Sequence, residues 1–334
     1  MVVVQSYTVA IGLCGLTMTC WGSHANTLKM EPASYSFSLY YWDQAIGYLL
    51  LPLIVGLTFG SLGHTGRSLI EDLMQGSLNS YSMAALGGVV FNLANILFMA
   101  AIAIAGLAVA FPIGIGIALV EGVVINYVAE PRGNPVLLFI GVTLITLAII
   151  IDALAYKRLN RDAGGDGIVK GVALAIVGGI LMGVFYYLVQ RSLSENFYHL
   201  KPGKFGPYAA VVVFAAASLL SNLAFNTWLM ARPLKGDPVR WSAYVKKGTS
   251  RAHWIGVFGG LINGTGTMSN VLASQVASPA IAYGLGQGGT MVAAIWGVFV
   301  WKEFRGAPRG TGVMLTAMFL LFISGLSLLV FAKL

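Results

Sequence analysis

The chain has 334 residues, 57% of them hydrophobic and only 10% charged, with a mean hydropathy of +0.80 and a formal net charge of +8. Soluble domains carry about 25% charged residues, so a soluble globular protein is excluded and an integral membrane protein is indicated. The Lys and Arg residues sit in short connections between apolar runs, the distribution that sets membrane orientation, so nucleic acid is not expected as a partner.

A bilayer-crossing helix needs about 20 mostly apolar residues. Runs of that kind, bounded by charged or Gly/Pro-rich breaks, predict ten spans at 6–27, 43–63, 83–105, 107–128, 135–155, 168–190, 208–230, 254–275, 279–301 and 311–332. No positive charge precedes the first run and Lys29 follows it, so it reads as a retained helix and not a signal peptide. That run holds both cysteines, Cys14 and Cys20, which read as buried helix residues and not as a disulfide or metal site. The third and fourth spans almost touch, as do the eighth and ninth, and each pair is expected to form a tight helical hairpin. The 42 glycines imply close packing between helices.

Lys29, Lys157, Arg158, Arg161, Lys170, Arg232, Lys235, Arg240, Lys246, Lys247, Arg251, Lys302, Arg305 and Arg309 fall in loops on one side. Arg67, Arg132, Arg191, Lys201, Lys204 and Lys333 fall on the other. The positive-inside rule makes the richer side cytoplasmic and places both termini outside. The expected location is the cytoplasmic (inner) membrane of a prokaryote.

The sequence repeats internally. Residues 87–120 align with 259–292 without a gap, at an offset of 172, matching Gly87 with Gly259, Gly88 with Gly260, Ala101 with Ala273, Ala105 with Ala277, Ala108 with Ala280, Ala110 with Ala282, Gly114 with Gly286, Gly116 with Gly288 and Val120 with Val292, with Phe111 opposite Tyr283. Spans three and four then correspond to eight and nine, and the repeat unit is five helices. An odd number of crossings inverts the second copy, a recurring device of secondary transporters whose solute site lies near the midplane. The expected fold is therefore all-α: ten transmembrane helices in two inverted five-helix repeats, 1–160 and 161–334, within one membrane domain.

Both hairpins place helix-weakening residues inside a span: Pro112, Gly114 and Gly116 in the fourth, Gly284, Gly286 and Gly288 in the ninth. They read equally as hinges at a transport site and as points of close helix crossing. Polar side chains in hydrocarbon are costly without partners, and here they group by helical face: Asn92 with Asn95, Asn222 with Asn226, and Asn263 with Thr267 and Asn270. Tyr186, Tyr187 and Gln190 add polar tips to the sixth span, and Gln287 lies at the Gly-rich centre of the ninth. Such groups both donate and accept hydrogen bonds. With the flat rings of Trp21, Tyr283 and Trp296 they suit an uncharged polyol or a planar amide, although amides also join helices to one another. Glu121 is the deepest acid and the candidate carrier of a coupling proton. His24, Asp43 and Asp152 lie near span ends and read as interfacial caps.

No phosphate loop, His-Glu-x-x-His or Gly-x-Ser-x-Gly sequence is present, which argues against ATP-driven pumping and against an enzyme. The stretch Gly106 to Val120, the run Trp296 to Phe304 and the end of the first span, Trp21 to Asn26, resemble the glucose/rhamnose/ureide branch of the drug/metabolite transporter superfamily. That resemblance implies ten helices in two inverted repeats, central solute binding and uptake of a neutral polar solute that is often proton-coupled. No cofactor or metal is expected; the partners are a small solute, membrane lipid and a coupling proton. The leading expectation is alternating-access uptake of a sugar first and a ureide or nucleobase-like compound second. An exporter of the same superfamily and a passive facilitator or channel stay open.

Overall fold

Away from water the backbone must satisfy its own hydrogen bonds, and an unbranched chain of apolar segments does so with helices. The computed structural model describes residues 1–32, 34–63, 65–159, 167–233 and 237–333. Arg161, Lys235 and the expected boundary between residues 160 and 161 lie outside the described residues, as does the side chain of Ala108. Among the described residues no strand forms, and one isolated bridge joins Leu193 to Phe205.

The helices are α1 (Tyr7–Ser23), α2 (Asn26–Lys29), α3 (Phe37–Leu57), α4 (Leu69–Gln75), α5 (Leu78–Ala105), α6 (Leu107–Ala129), α7 (Pro135–Leu159), α8 (Ile168–Ser192), α9 (Pro207–Ala231), α10 (Ser242–Lys247), α11 (Ser250–Ala277), α12 (Pro279–Gly286), α13 (Gly289–Ile295) and α14 (Thr311–Phe331), with a π-helical turn at Trp296–Val300. Every expected span is met by helix. Among the described residues six helices, α5, α6, α7, α8, α9 and α14, are by length and hydropathy sufficient to cross a membrane. The other four expected spans differ for local reasons. α1 has 17 residues; α3 and α11 carry much of the buried polar chemistry; the ninth span is divided at Gln287 and Gly288 into α12 and α13 and ends in the π-helical turn. α3 also begins six residues before the expected start of the second span.

The expected tight hairpins are both present, each turning on one residue: Gly106 (φ 82°, ψ 159°) between α5 and α6, and Ser278 (φ 84°, ψ 151°) between α11 and α12. Helix α5 packs on α8 and α9, α11 packs on α1 and α3, α6 packs on α8 and α7, and α7 packs on α14. The broken ninth span leans on α1 through both α12 and α13, and α12 also touches α6 and α14.

Polar contacts sort the two ends of the bundle. At one end the amino terminus donates to the Thr65 carbonyl at 2.5 Å, Arg67 pairs with Asp72 at 2.9 Å, and Asn134 N–H donates to the Ala332 carbonyl. Both chain ends lie there. At the other end Lys29 pairs with Glu303 at 2.5 Å, Tyr156 donates to Glu303 at 2.6 Å, and the indoles of Trp296 and Trp301 donate to Ser23 and Asn26. These bonds fasten the exit of the ninth span to the exit of α1.

Candidate functional site

Helix α3 carries Tyr40, Tyr41, Gln44 and Tyr48 at spacings of one, three and four, a stripe along one face. With His24, Ala25 and Leu28 at the end of α1, Phe37 and Ala45 of α3, Phe91, Asn95 and Met99 of α5, Ser218 of α9 and Asn263 of α11, this stripe lines a cavity of about 80 Å³. The volume is several times what one water needs. His24, Leu28 and Phe37 form its mouth, the edge of the lining nearest the end of the bundle that holds Lys29 and Glu303.

The lining is neutral and able to both donate and accept. Gln44, Asn95 and Asn263 present amides, and Tyr40, Tyr41 and Tyr48 present hydroxyls. A second row of bonds orients these groups. Tyr41 donates to Asn92 Oδ1 at 2.9 Å, and Asn92 Nδ2 donates to Ser221 Oγ at 2.7 Å. The Tyr48 hydroxyl meets Thr267 Oγ1 at 2.7 Å, and Trp21 Nε1 donates to that same oxygen at 3.3 Å. Tyr40 meets Thr27 Oγ1 at 2.6 Å. Tyr48 and Phe91 stack with centroids 5.6 Å apart and planes 15° apart, giving the cavity a flat apolar wall.

The same aromatics continue into a floor. Phe91 packs on Phe185 and Phe214, Phe185 on Tyr186 and Tyr283, and Tyr186 on Tyr283 at 5.1 Å. Behind that floor lies a second polar group. Tyr186 donates to the Asn270 carbonyl at 3.4 Å, Ser274 donates to Gln190 Oε1 at 3.4 Å, and Asn270 Nδ2 donates to the Ala282 carbonyl at 2.8 Å. Gln190 Nε2 and Asn270 Oδ1 are buried without a partner among the described residues.

The residues expected from sequence to bind solute thus divide. Asn95 and Asn263 line the cavity; Asn92, Thr267 and Trp21 stand one bond behind it. Tyr186, Gln190, Asn270 and Tyr283 form the floor and the group beyond it, with Tyr283 donating to the carbonyls of Met182 and Ala118. Gln287 is buried at the break between α12 and α13. Asn226 donates to the Ser38 carbonyl at 2.9 Å, joining α9 to α3, and Asn222 is fully buried with neither amide atom partnered among the described residues. Glu121 does not face the cavity: it packs beside Gly183 and borders a groove between α6 and α7 lined by Pro112, Gly116, Val120, Ile150 and Leu154. A Cβ at Gly114 would overlap Phe98, one at Gly284 Leu329, one at Gly286 Trp21, and one at Gly288 Leu326, so these four are close contacts. At Gly116 a Cβ would meet nothing within 4 Å.

Of the residues expected as caps, Asp43 and Asp152 are buried acids, and Glu303 is a third acid with side-chain partners. Asp43 is 1% exposed, and its carboxylate accepts from Tyr35 at 2.6 Å, from Tyr244 and from His253 Nδ1 at 3.0 Å. Asp152 is buried with Oδ1 unpartnered among the described residues. Glu303 bonds both Lys29 and Tyr156. Tyr40 and Tyr41 fall outside the expected second span, which starts at residue 43, whereas Gln44 and Tyr48 lie inside it and were not singled out; the run Tyr40-Tyr41-Trp42-Asp43-Gln44 was the signal.

Bundled apolar helices around a neutral polar cavity that lies toward one end of the bundle define a helical membrane transporter. A family model of the ureide permeases matches residues 40–166 and 157–332, most of the chain, and the chain belongs to the ureide permease family. Ureide permease 1 of Arabidopsis thaliana is 24% identical over 347 residues, covering 86% of this chain and 87% of its own length. Ureide permease 4 of the same plant is 23% identical over 398 residues, covering 98% of each. A crystal structure of a protein 15% identical superposes with a TM-score of 0.62 over 97% of this chain and 96% of its own, a likeness of fold. The chain is a membrane transporter and not an enzyme. The relatives named here are plant proteins and not sugar porters, so they give no support to a prokaryotic inner membrane or to a sugar-porter branch.

Proposed function

We propose that this protein carries ureides, or small uncharged solutes with the same planar amide edge, by alternating access through the cavity on α3. The observation that carries this reading is the lining: Gln44, Asn95 and Asn263 offer paired donors and acceptors beside the stacked Tyr48 and Phe91. An amide edge fills both senses of hydrogen bond at once, and its planar body fits the ring face. A sugar, the second reading, would use the same amides but leave the flat wall to its C–H groups alone.

The architecture for alternating access is two inverted five-helix repeats, 1–160 and 161–334. Exchanging α1 with α8, α3 with α9, α5 with α11, α6 with α12 and α13, and α7 with α14 turns the α5–α8 packing into α11–α1, α3–α11 into α9–α5, and α6–α7 into α12–α14, all of which occur. The shared hairpin geometry at Gly106 and Ser278, 172 residues apart, supports the same correspondence. In this reading the aromatic floor closes the path in the present conformation, and Gln190, Ser274 and Asn270 line it when the opposite end opens. The mouth faces the Lys- and Arg-rich loops, hence the cytoplasm, with both termini outside. Coupling to a proton gradient belongs to the same reading.

Binding in detergent tests the solute class. Allantoin, as a ureide probe, should raise the unfolding temperature of the wild type and compete with a planar cyclic amide such as uracil, while glucose should shift it less. In Asn95→Ala and Asn263→Ala the allantoin shift should vanish while the unliganded protein stays folded. Equal shifts with glucose and allantoin would contradict the ureide reading.

A further inference from the structure

Beside the cavity, but not lining it, lies a titratable cluster that solute binding does not use. Asp43 of α3 is buried among three donors: Tyr35 from the connection between α2 and α3, Tyr244 of α10 and His253 of α11. The Tyr35 hydroxyl also meets His253 Nδ1 at 3.2 Å, and both tyrosine rings pack on the imidazole. A Cβ at Gly256 would run into Asp43, so α11 approaches α3 closely at this point. Both carboxylate oxygens of Glu31, on the same connection as Tyr35, are buried without a hydrogen-bond partner among the described residues.

We propose that Glu31, Asp43 and His253 form the proton-binding site of this transporter, and that the bound proton latches the connection between α2 and α3 over the cavity mouth. The charge count supplies the reason. Tyr35 and Tyr244 both donate to the Asp43 carboxylate, and His253 fills a further acceptor site on it. A second carboxylate beside it, without a donor of its own, repels Asp43 when ionised and is neutral when it holds a proton. Burial first and the Asp43 charge second push the Glu31 carboxyl up to about 7, against the opposing pull of His253 and Arg251. Tyr40, one turn from Asp43 on the cavity face, and Arg251, in the first turn of α11, complete the titratable and charged groups that interact with the cluster.

Proton binding breaks no covalent bond. One proton from water joins a Glu31 carboxylate oxygen, the charge of the cluster falls by one negative unit, and the repulsion from Asp43 is removed. His253, whose side chain is 30% exposed, gives the proton a route from solvent. Leu28 and Phe37, on either side of the Glu31 connection, line the cavity mouth, so holding that connection against α3 is mechanically joined to access.

Two measurements test the proposal, the second of which rests on the ureide reading. Hydrogen exchange by mass spectrometry on the solute-free protein at about pH 5.5 and about pH 8.5, on either side of the titration, should show residues 28–37 and 242–253 more protected at the lower pH after correction for intrinsic rates. In Glu31→Gln these segments should be protected at both pH values, and in Asp43→Asn the pH dependence should be lost. In liposomes, Glu31→Gln should lose accumulation of allantoin driven by an imposed pH gradient yet retain allantoin counterflow, while Glu121→Gln keeps both. If wild type, Glu31→Gln and Asp43→Asn share one pH-dependent exchange pattern, the latch is overturned. If the wild type carries no ureide while the exchange result holds, the ureide reading fails and the proton site stands. If Asp43→Asn does not fold, Glu31→Gln decides alone.

Discussion

Gly106 and Ser278 hold the same backbone conformation, φ 82° and ψ 159° against φ 84° and ψ 151°, at hairpins 172 residues apart. That region is almost confined to glycine and costs another residue about 1–3 kcal/mol. Ser278 offsets part of this cost by accepting from Ile281 N–H at the start of α12. Ser278→Gly should therefore stabilise the protein by about 1 kcal/mol or less, since Gly keeps most of a cap but gains entropy when unfolded. Gly106→Ala should destabilise it by about 1–3 kcal/mol. Unfolding midpoints in detergent check both, and a stabilised Gly106→Ala would show that the two hairpins are not equivalent.

Gly260 brings α11 against the backbone of α3, where an added Cβ would overlap the Gln44 carbonyl and the Tyr48 nitrogen. Gly88 meets the Phe214 carbonyl of α9 in the corresponding way. Gly260→Val is expected to cost about 1–3 kcal/mol by overpacking and to lower solute affinity, because it forces α11, which carries Asn263, away from α3, which carries Tyr40, Tyr41, Gln44 and Tyr48. Gly88→Val should carry a similar stability cost with a smaller loss of affinity. Gly116→Ala, with open space around it, should stay within about 0.5 kcal/mol of wild type. Unfolding midpoints paired with allantoin binding separate the cases.

The helices and both hairpins were legible because apolar runs and the gapless match of Gly87–Val120 to Gly259–Val292 report directly on packing. Asn95 and Asn263 were legible as cavity-lining residues because an amide at mid-span needs a partner or a solute, and Asn95 also donates to the Phe91 carbonyl at 2.8 Å. Asn226 looked the same in sequence, yet it spends its amide on the Ser38 carbonyl. Which reading holds depends on a neighbouring helix that a one-dimensional pattern does not contain. Tyr40 and Tyr41 were missed for a different reason: polar aromatics at a helix start lower the hydropathy that marked the span. Asp43 read as a cap because its three donors come from Tyr35, Tyr244 and His253, and two of these are over 200 residues away.

The end opposite the cavity mouth is closed by Asp72. Its carboxylate takes Arg67 and the Gly206 N–H at 2.6 Å, while Gln75 Oε1 takes the Gly203 N–H at 2.6 Å, so the α3–α5 connection is bound to the α8–α9 connection. Asp72→Ala leaves the Gly206 N–H unpaired and Arg67 without its counter-charge, though still donating to the Leu200, Lys201 and Lys204 carbonyls, and should cost about 3 kcal/mol, the lower end for a broken buried pair. Cys14 and Cys20 are both buried, so a cysteine placed at Gln190 reports on this end. A membrane-impermeant maleimide should label Gln190→Cys faster when Asp72→Ala is also present. Unchanged labelling would mean that the network does not hold this end shut.

The Glu31 carboxyl, raised from 4.5 to about 7 by burial first and Asp43 second, gives a stability trend of known sign. A carboxyl raised on folding binds its proton more tightly folded than unfolded, so its penalty is absent below about pH 4.5, grows through the window up to about 7, and is full above it. The wild type should lose thermal stability from pH 5 to pH 8 relative to Glu31→Gln, with the two converging at the acid end. Parallel curves for the two proteins would contradict the assignment.

Uptake of radiolabelled allantoin by the purified protein in liposomes, in wild type and in Asn263→Ala, tests most directly that the α3 cavity is the solute site of a ureide transporter. Saturable uptake that unlabelled uracil inhibits more strongly than glucose, and that Asn263→Ala weakens about tenfold or more in affinity while the protein stays folded, is the expected result. Uptake indifferent to Asn263→Ala, or saturable uptake of glucose with none of allantoin, would contradict it.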